Sequence, residues 1–408
     1  MPAELSSANR QWIQMVDLFA GPGGLDVAAH WLGIDAHGIE WDNDAVATRD
    51  LAGLLTKPGD VRDFSPSTFF EEDNDSKTSN SRPDLTILAG GPPCQTYTVA
   101  GNGSGRKALH KVLDMVDHMI ERKNVKDALD ELHKQTGDER TGLVLEPLRW
   151  ALEAIEEEMP YDAIVLEQVP AVLPVWAKVR HALEKVGYGC DHGILRTEEY
   201  GVPQTRRRAI LIARRIIGTN KQSKVKLPTA THHRYIKGAE PNDSESELLH
   251  WKSMGETLDR EHNFIVVSNY GTGGDPKVRG SRKWNEPSAT VTGKISRNRV
   301  KHIVNKRDLP RFDSKEAGQL QTFPRDYPWS NRNTAQQIGN AIPPRLAVHV
   351  LAAALEMTFD PTDLENAVKG KWSETRSGTI PLLPRIDGIA TEDFGQVAPQ
   401  DDSYLPFD

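Results

Sequence analysis

The run IQMVDLF at residues 13–19 passes through GPGG (21–24) straight into LDVAAHWLG (25–33). A short apolar run, a glycine turn and then apolar residues at helical spacing constrain this chain more than any other feature. They predict a strand feeding a helix through a turn whose backbone a ligand can approach. The pattern recurs. DAHGIEW (35–41), DLTILAGG (84–91), YDAIVLEQV (161–169) and RRAILIARR (207–215) read as further strands with helical stretches between them. Strands alternating with helices predict an α/β fold with a parallel, doubly wound sheet.

Three regions break the rhythm. ALHKVLDMVDHMI (108–120) and NVKDALDELHK (124–134) place apolar residues at helical spacing and predict two short helices, an insertion over 103–137. Residues 219–330 are rich in Gly, Pro, Ser and basic side chains and read as a second, loop-rich domain; IPPRLAVHVLAAALEM (342–357) then restores a helix within 331–357. From 358 to 408 the chain turns polar, proline-containing and acidic, and a poorly ordered tail is expected.

The 408 residues carry a net charge of −8, which argues against a nucleic-acid partner until its distribution is considered. Residues 200–310 hold 22 lysines and arginines against 10 acids, a basic segment in an otherwise acidic chain. Only Cys94 and Cys190 occur, so neither a disulfide framework nor a thiolate metal cluster is expected. No apolar run reaches transmembrane length and the N-terminus lacks signal-peptide character, which points to a cytoplasmic protein with no membrane partner.

Four segments carry chemistry. In DLFAGPGGLDVAA (17–29) the glycines open a helix N-terminus to an anionic or polar ligand; Glu40 follows Gly21 by 19 residues, placed to bind two ribose hydroxyls, and Trp41 offers a flat face to adenine. These residues indicate an adenosine-containing cofactor without choosing between NAD and S-adenosylmethionine. In AGGPPCQTYTVAG (89–101), Cys94 follows a strand at the carboxyl edge of the sheet, where doubly wound folds bind ligands, and two prolines stiffen its approach. A cysteine among Gly, Pro and polar residues is poorly placed for core packing. Glu167 ends the strand in VLEQVP (165–170). In GVPQTRRRAILIA (201–213), strand alternation puts Gln204, Arg206 and Arg208 on one face and Arg207 on the other. Two guanidiniums on one face call for an anion or an electron-rich ligand between them.

In this order and spacing, these segments and the closing QQIGNAIPPRLA (336–347) resemble the bacterial cytosine carbon-5 DNA methyltransferases over residues 13–357. NEPSATVT (285–292), DSKEAGQLQTFP (313–324) and SNYGTGGDP (268–276) add to the likeness. The resemblance makes 1–218 the catalytic domain, 219–330 a target-recognition domain and hinge, and 331–357 the helix completing the catalytic domain. It implies S-adenosylmethionine as cofactor and no metal. The implied cofactor contacts are Phe19, Gly21, Gly23, Gly24, Glu40, Trp41, Asp60, Val61, Pro93, Asn340 and Ile342. The implied catalytic set is Cys94, Glu167, Arg206, Arg208 and Gln204, acting on a cytosine flipped out of double-stranded DNA. A monomer is expected, with room for a separately encoded restriction endonuclease.

The chain departs from the family pattern in three places. Gln168 replaces the usual Asn after the glutamate, Pro92 stands where Phe is common, and the loop from Gly101 to the DxR element (Asp138, Arg140) is longer and helical in character. Three rival readings are weaker. Relatives acting on tRNA carry Cys-Phe-Thr, whereas here the pairs are Cys94-Gln95 and Cys190-Asp191. A silent DNA-binding homologue does not need the catalytic set, and a nicotinamide oxidoreductase explains neither Cys94 nor the arginines.

Overall fold

The computed structural model describes residues 11–67, 69, 82–93, 104–121, 142–217, 225–239, 247–269 and 280–385. Its centre is a seven-stranded sheet of β1 (Ile13–Leu18), β2 (Asp35–Glu40), β3 (Leu55–Pro58), β4 (Leu85–Gly90), β5 (Ala163–Gln168), β6 (Tyr188–Arg196) and, after the two-residue β7 (Gln204–Thr205), β8 (Arg207–Arg215). The spatial order is β3-β2-β1-β4-β5-β8-β6. Strands β1 to β5 pair in parallel, as expected, but β8 runs antiparallel to both β5 and β6. The connection over 197–206 is too short for the crossover that a parallel return demands, so the chain doubles back as a hairpin.

The helices longer than one turn are α1 (Gly24–Leu32), α2 (Asn43–Ala52), α3 (Ser104–Glu121), α4 (Glu146–Glu156), α5 (Leu173–Lys185), α6 (Ser314–Leu320), α7 (Thr334–Asn340), α8 (Pro344–Ala354) and α9 (Pro361–Lys369). Strand alternation sorts the core into two layers. Met15, Ile87, Val165, Ile210 and Ile212 pack with α1 and α8 on one face. Leu18, Leu88, Ile164, Leu166 and Leu211 pack with α3, α4 and α5 on the other. Burying these side chains from both sides is what makes the strand segments nearly continuous apolar runs. The first half of the expected insertion is one long helix, α3; the NVKDALDELHK half lies outside the described residues.

Two expectations about domain layout need correction. The 219–330 region carries a four-stranded antiparallel sheet of β9 (Phe264–Val267), β10 (Ser281–Lys283), β12 (Arg299–His302) and β13 (Asp308–Leu309), while β11 (Ser288–Ala289) pairs with β7. Among the described residues it shows no separate core. Phe264, Val266, Val300 and Phe312 belong to the same apolar cluster as α1 and α8, because a sheet this small cannot bury enough surface alone. The expected disordered tail does not begin at 358. Helix α9 follows, β14 (Met357–Thr358) pairs with β15 (Leu383–Pro384), and Ile380 is fully buried. Residues 386–408 lie outside the described residues. Among the described residues, no helix is long and apolar enough to cross a membrane.

Helix α8 buries His349 against the rings of Tyr200 and Phe359, each 5.2 Å away, and its Nε2 has no hydrogen-bond partner. Burial, then Arg345, pushes its pKa down to about 3; burial likewise takes His232 to about 4. Both rings are neutral in the fold, while the unfolded chain protonates them below about pH 6.5. Stability is therefore unaffected above that pH and is lost as pH falls from about 6.5 toward 4. We expect urea unfolding to show this loss, and His349→Phe to recover about 2 kcal/mol of it at pH 5.

Candidate active site at the carboxyl edge of the sheet

Strands β2, β1, β4, β5 and β8 are successive neighbours, so the residues that leave their ends at one edge are brought together across a few strand spacings. The antiparallel direction of β8 matters here. It places the start of that strand, Arg206–Arg208, beside the end of β5, with Ala209 opposite Gln168 and Ile210 opposite Glu167.

The glycine turn is built for a left-handed backbone. Phe19, Gly21 and Gly23 have φ of 60°, 55° and 99°. Phe19 adopts this region without glycine's freedom, a strain typical of functional turns. A Cβ on Gly21 would meet nothing within 4 Å, whereas one on Gly24 would collide with the Ile342 carbonyl oxygen. The turn is therefore open toward Gly21 and closed toward Gly24. Glu40, only 8% exposed, locks it: one carboxylate oxygen accepts the Gly21 N–H and the other the Asp42 N–H, both at 2.7 Å. Burial raises the Glu40 pKa against these two bonds. Trp41 beside it is 72% exposed.

On the far side of the edge, Glu167 is 6% exposed and pairs with Arg208 Nε at 2.7 Å. Burial lowers the Arg208 pKa and Glu167 opposes that shift. Gly91 lies between Glu167 and the glycine turn. Its N–H bonds the Leu18 carbonyl at 3.2 Å, and a Cβ there would sit 3.6 Å from Glu167 Oε2. Pro92 and Pro93 continue from Gly91; Cys94, Asp138 and Arg140 lie outside the described residues.

These features meet in a known family. Residues 13–121 and 132–356 match the C-5 cytosine-specific DNA methylase family. The chain belongs to it. Among its bacterial relatives, the type II methyltransferase M1.HphI of Haemophilus parahaemolyticus is 24% identical over 376 residues, covering 84% of this chain and 86% of that protein. M.NgoFVII of Neisseria gonorrhoeae is 24% identical over 392 residues, covering 87% and 89%. The crystal structure of S. pombe Dnmt2 methyltransferase superposes with a TM-score of 0.53 at 17% identity over 85% of this chain and 99% of that one, a likeness of fold.

Within this C-5 methylase fold, the arginine pair differs from the expectation of a shared ligand. Arg206 is 1% exposed and donates to three carbonyls: Val291 at 3.1 Å, Gly339 at 2.9 Å and Ala341 at 3.1 Å. Burial, then Arg208, lowers its pKa. Gln204 is also spent on the chain: it donates to the Leu320 carbonyl and Gln321 Oε1 and accepts the Val291 N–H. Gln204 and Arg206 thus bind distant chain segments at 291, 320–321 and 339–341. Only Arg208 contacts Glu167.

Other expected cofactor residues are tied up locally. Asp60 caps the turn at Arg62 and pairs with that guanidinium at 2.6 Å. The Val61 carbonyl accepts Arg149 at 2.9 Å, and Asn340 Oδ1 accepts Gln336 at 2.7 Å. The Ile342 carbonyl and side chain pack against Gly24 at the start of α1, leaving no room for a Cβ there.

The sequence reading missed three supports. Gln168 donates to the Pro92 carbonyl, so the longer side chain still reaches the approach to Cys94 and the departure from Asn costs no anchor. Asp26 and Arg49 form a fully buried ion pair at 2.7 Å beneath the glycine turn, with Asp17 buried beside it and its pKa raised well above the usual range by burial and then by Asp26. Tyr327 donates to the Pro22 carbonyl. The apolar pattern around Asp17, Asp26 and Arg49 gave no signal, because each sits singly in an otherwise ordinary element.

Arg206→Lys should destabilise the protein by about 2–4 kcal/mol, since a point charge on a flexible stem cannot serve three carbonyls in one plane. Urea unfolding measures this; an unchanged midpoint contradicts the assigned role.

Proposed function

We propose that this chain methylates carbon 5 of cytosine in double-stranded DNA at a specific sequence, with S-adenosylmethionine as methyl donor and Cys94 as covalent nucleophile. The observation that carries this reading is the single edge joining the Gly21–Glu40 turn, the Pro92-Pro93 approach to Cys94, and the Glu167–Arg208 pair.

The cofactor fits the residues present. Each Glu40 oxygen takes one backbone N–H and keeps a lone pair for a ribose hydroxyl. The exposed Trp41 ring can lie on adenine, and the open space at Gly21 admits a ligand close to the backbone. S-adenosylmethionine supplies an electrophilic methyl group when bound.

Cytosine carbon 5 is a poor nucleophile. Addition of the Cys94 thiolate to carbon 6 converts the ring to an enamine whose carbon 5 attacks. Glu167 holds the ring nitrogen and exocyclic amine and supplies a proton as charge develops there. Arg208 orients the Glu167 carboxyl, stabilises the carboxylate left once its proton is given to the ring nitrogen, and places positive charge on the carbonyl side. Once carbon 5 is methylated, a base removes its proton and Cys94 departs. The reacting atom lies within the duplex stack, so the nucleotide must flip out. The basic 200–310 segment supplies charge for the phosphates.

The relatives named type II methyltransferases support a role as a modification enzyme, either paired with a separately encoded restriction endonuclease or acting as an orphan. A tRNA substrate is disfavoured by Cys94-Gln95 in place of Cys-Phe.

Bisulfite sequencing of DNA from cells expressing the chain tests this. Conversion-resistant cytosines should cluster in one sequence context and vanish with Cys94→Ala. Fully convertible DNA from cells containing folded wild-type protein rejects the reading.

A further inference from the structure

The family match ends at residue 356, yet the chain folds on to 385. Where the extra segment goes is informative. Glu365 in α9 pairs with Arg345 of α8 at 2.7 Å and Lys252 at 3.3 Å, which fixes the start of the extension. Residues 371–380 then cross the carboxyl ends of both α1 and α2. The N–H groups of Gly378 and Ile380 bond the His30 and Trp31 carbonyls at 2.9 and 2.8 Å, and Trp372 Nε1 bonds the Ala52 carbonyl at 3.0 Å. These acceptors lie in the last turns of α1 and α2, whose carbonyls have no full set of partners within the helix; the His30 carbonyl also accepts the Gly33 N–H. The amino ends of the same helices carry the cofactor residues: α1 begins at Gly24, and α2 is capped by Asp42 beside Glu40 and Trp41.

A second route runs inward. The Asp326 carboxylate accepts the Trp372 N–H at 2.5 Å and the Ser373 hydroxyl at 2.6 Å. The Trp372 ring meets the Tyr327 ring at 5.7 Å and His30 at 5.0 Å. Tyr327 is buried, donates to the Pro22 carbonyl, and would lie 3.0 Å from a Cβ on Gly23. The extension therefore touches the glycine turn through one intervening side chain.

We propose that residues 371–380 are a strap that sets S-adenosylmethionine affinity by fixing the Gly21–Gly24 turn relative to Glu40 and Trp41, with Trp372 and Tyr327 as positioning residues. This rests on the cofactor assignment proposed above. Both residues act through the turn and touch no reacting atom, so they should govern cofactor binding and leave the chemical step alone.

Calorimetric titration of the full chain with S-adenosylmethionine tests the strap. Trp372→Ala should raise Kd about five- to tenfold, with kcat at saturating cofactor within about twofold of wild type. Tyr327→Phe, which removes only the bond to Pro22, should raise Kd as well, and the double variant should fall short of the product of the two effects, because they share one route. A folded Trp372→Ala protein with wild-type Kd overturns the proposal. If that variant does not fold, a wild-type Kd in Tyr327→Phe overturns it equally. Wild-type protein that binds no S-adenosylmethionine overturns the cofactor assignment, and the strap's role with it.

Discussion

Arg206 is the joint on which the catalytic edge depends. Its guanidinium leaves the residue before β8 and binds carbonyls at 291, 339 and 341, in two segments distant in sequence. A buried cation is costly unless its donors are satisfied, and here backbone carbonyls satisfy most of them. The cost secures geometry. The 339–341 carbonyls lead directly to Ile342, whose own carbonyl abuts Gly24, so the same guanidinium reaches the glycine turn at one remove. Gln204, two residues earlier, ties the Leu320 carbonyl and the Val291 N–H to the same point.

With that joint in place, the division of labour between the arginines follows. Strand alternation puts both on one face, and one of them must be spent on the chain. Arg206 lies deeper and takes the carbonyls. Arg208 lies nearer the edge, keeps Glu167 company and stays partly open. The antiparallel turn of β8 makes this arrangement, since a parallel last strand would send its first residues to the opposite edge of the sheet.

Much of the fold was legible because strands buried on both faces must be apolar: β1, β4, β5 and β8 announce themselves. Strand β6 did not. It is an edge strand, mostly half-buried, with Gly189, Asp191, His192 and Gly193 in its middle, and its pairing with β8 supplies the order that its composition does not. The 358–385 extension was misread for a related reason. Its anchors are single polar contacts made by distant residues, Arg345 to Glu365 and Asp326 to Trp372, and no local periodicity encodes them. At the site, spacing brought Glu40 to the glycine turn, whose Gly21 N–H it accepts, while alternation alone did not separate Arg208, which pairs with Glu167, from Gln204 and Arg206, which bind the chain. Neither could say that segments from 291 and 339–341 would cover that face. Gln168 looked like a loss from the sequence, yet the side chain reaches the same loop.

The covalent addition of Cys94 to carbon 6 is the step on which the chemistry turns. Duplex DNA bearing 5-fluorocytosine at the methylated position retains fluorine where a proton must leave, so the enzyme that adds to carbon 6 cannot depart. Incubation with S-adenosylmethionine, followed by denaturing electrophoresis and peptide mapping, should reveal a DNA-linked peptide containing Cys94. Burial pushes the other thiol, Cys190, up to about 12, which leaves it a poor nucleophile at neutral pH. A stable adduct mapped to Cys94 is the predicted result; an adduct on Cys190, or none from protein that methylates ordinary cytosine, would contradict it.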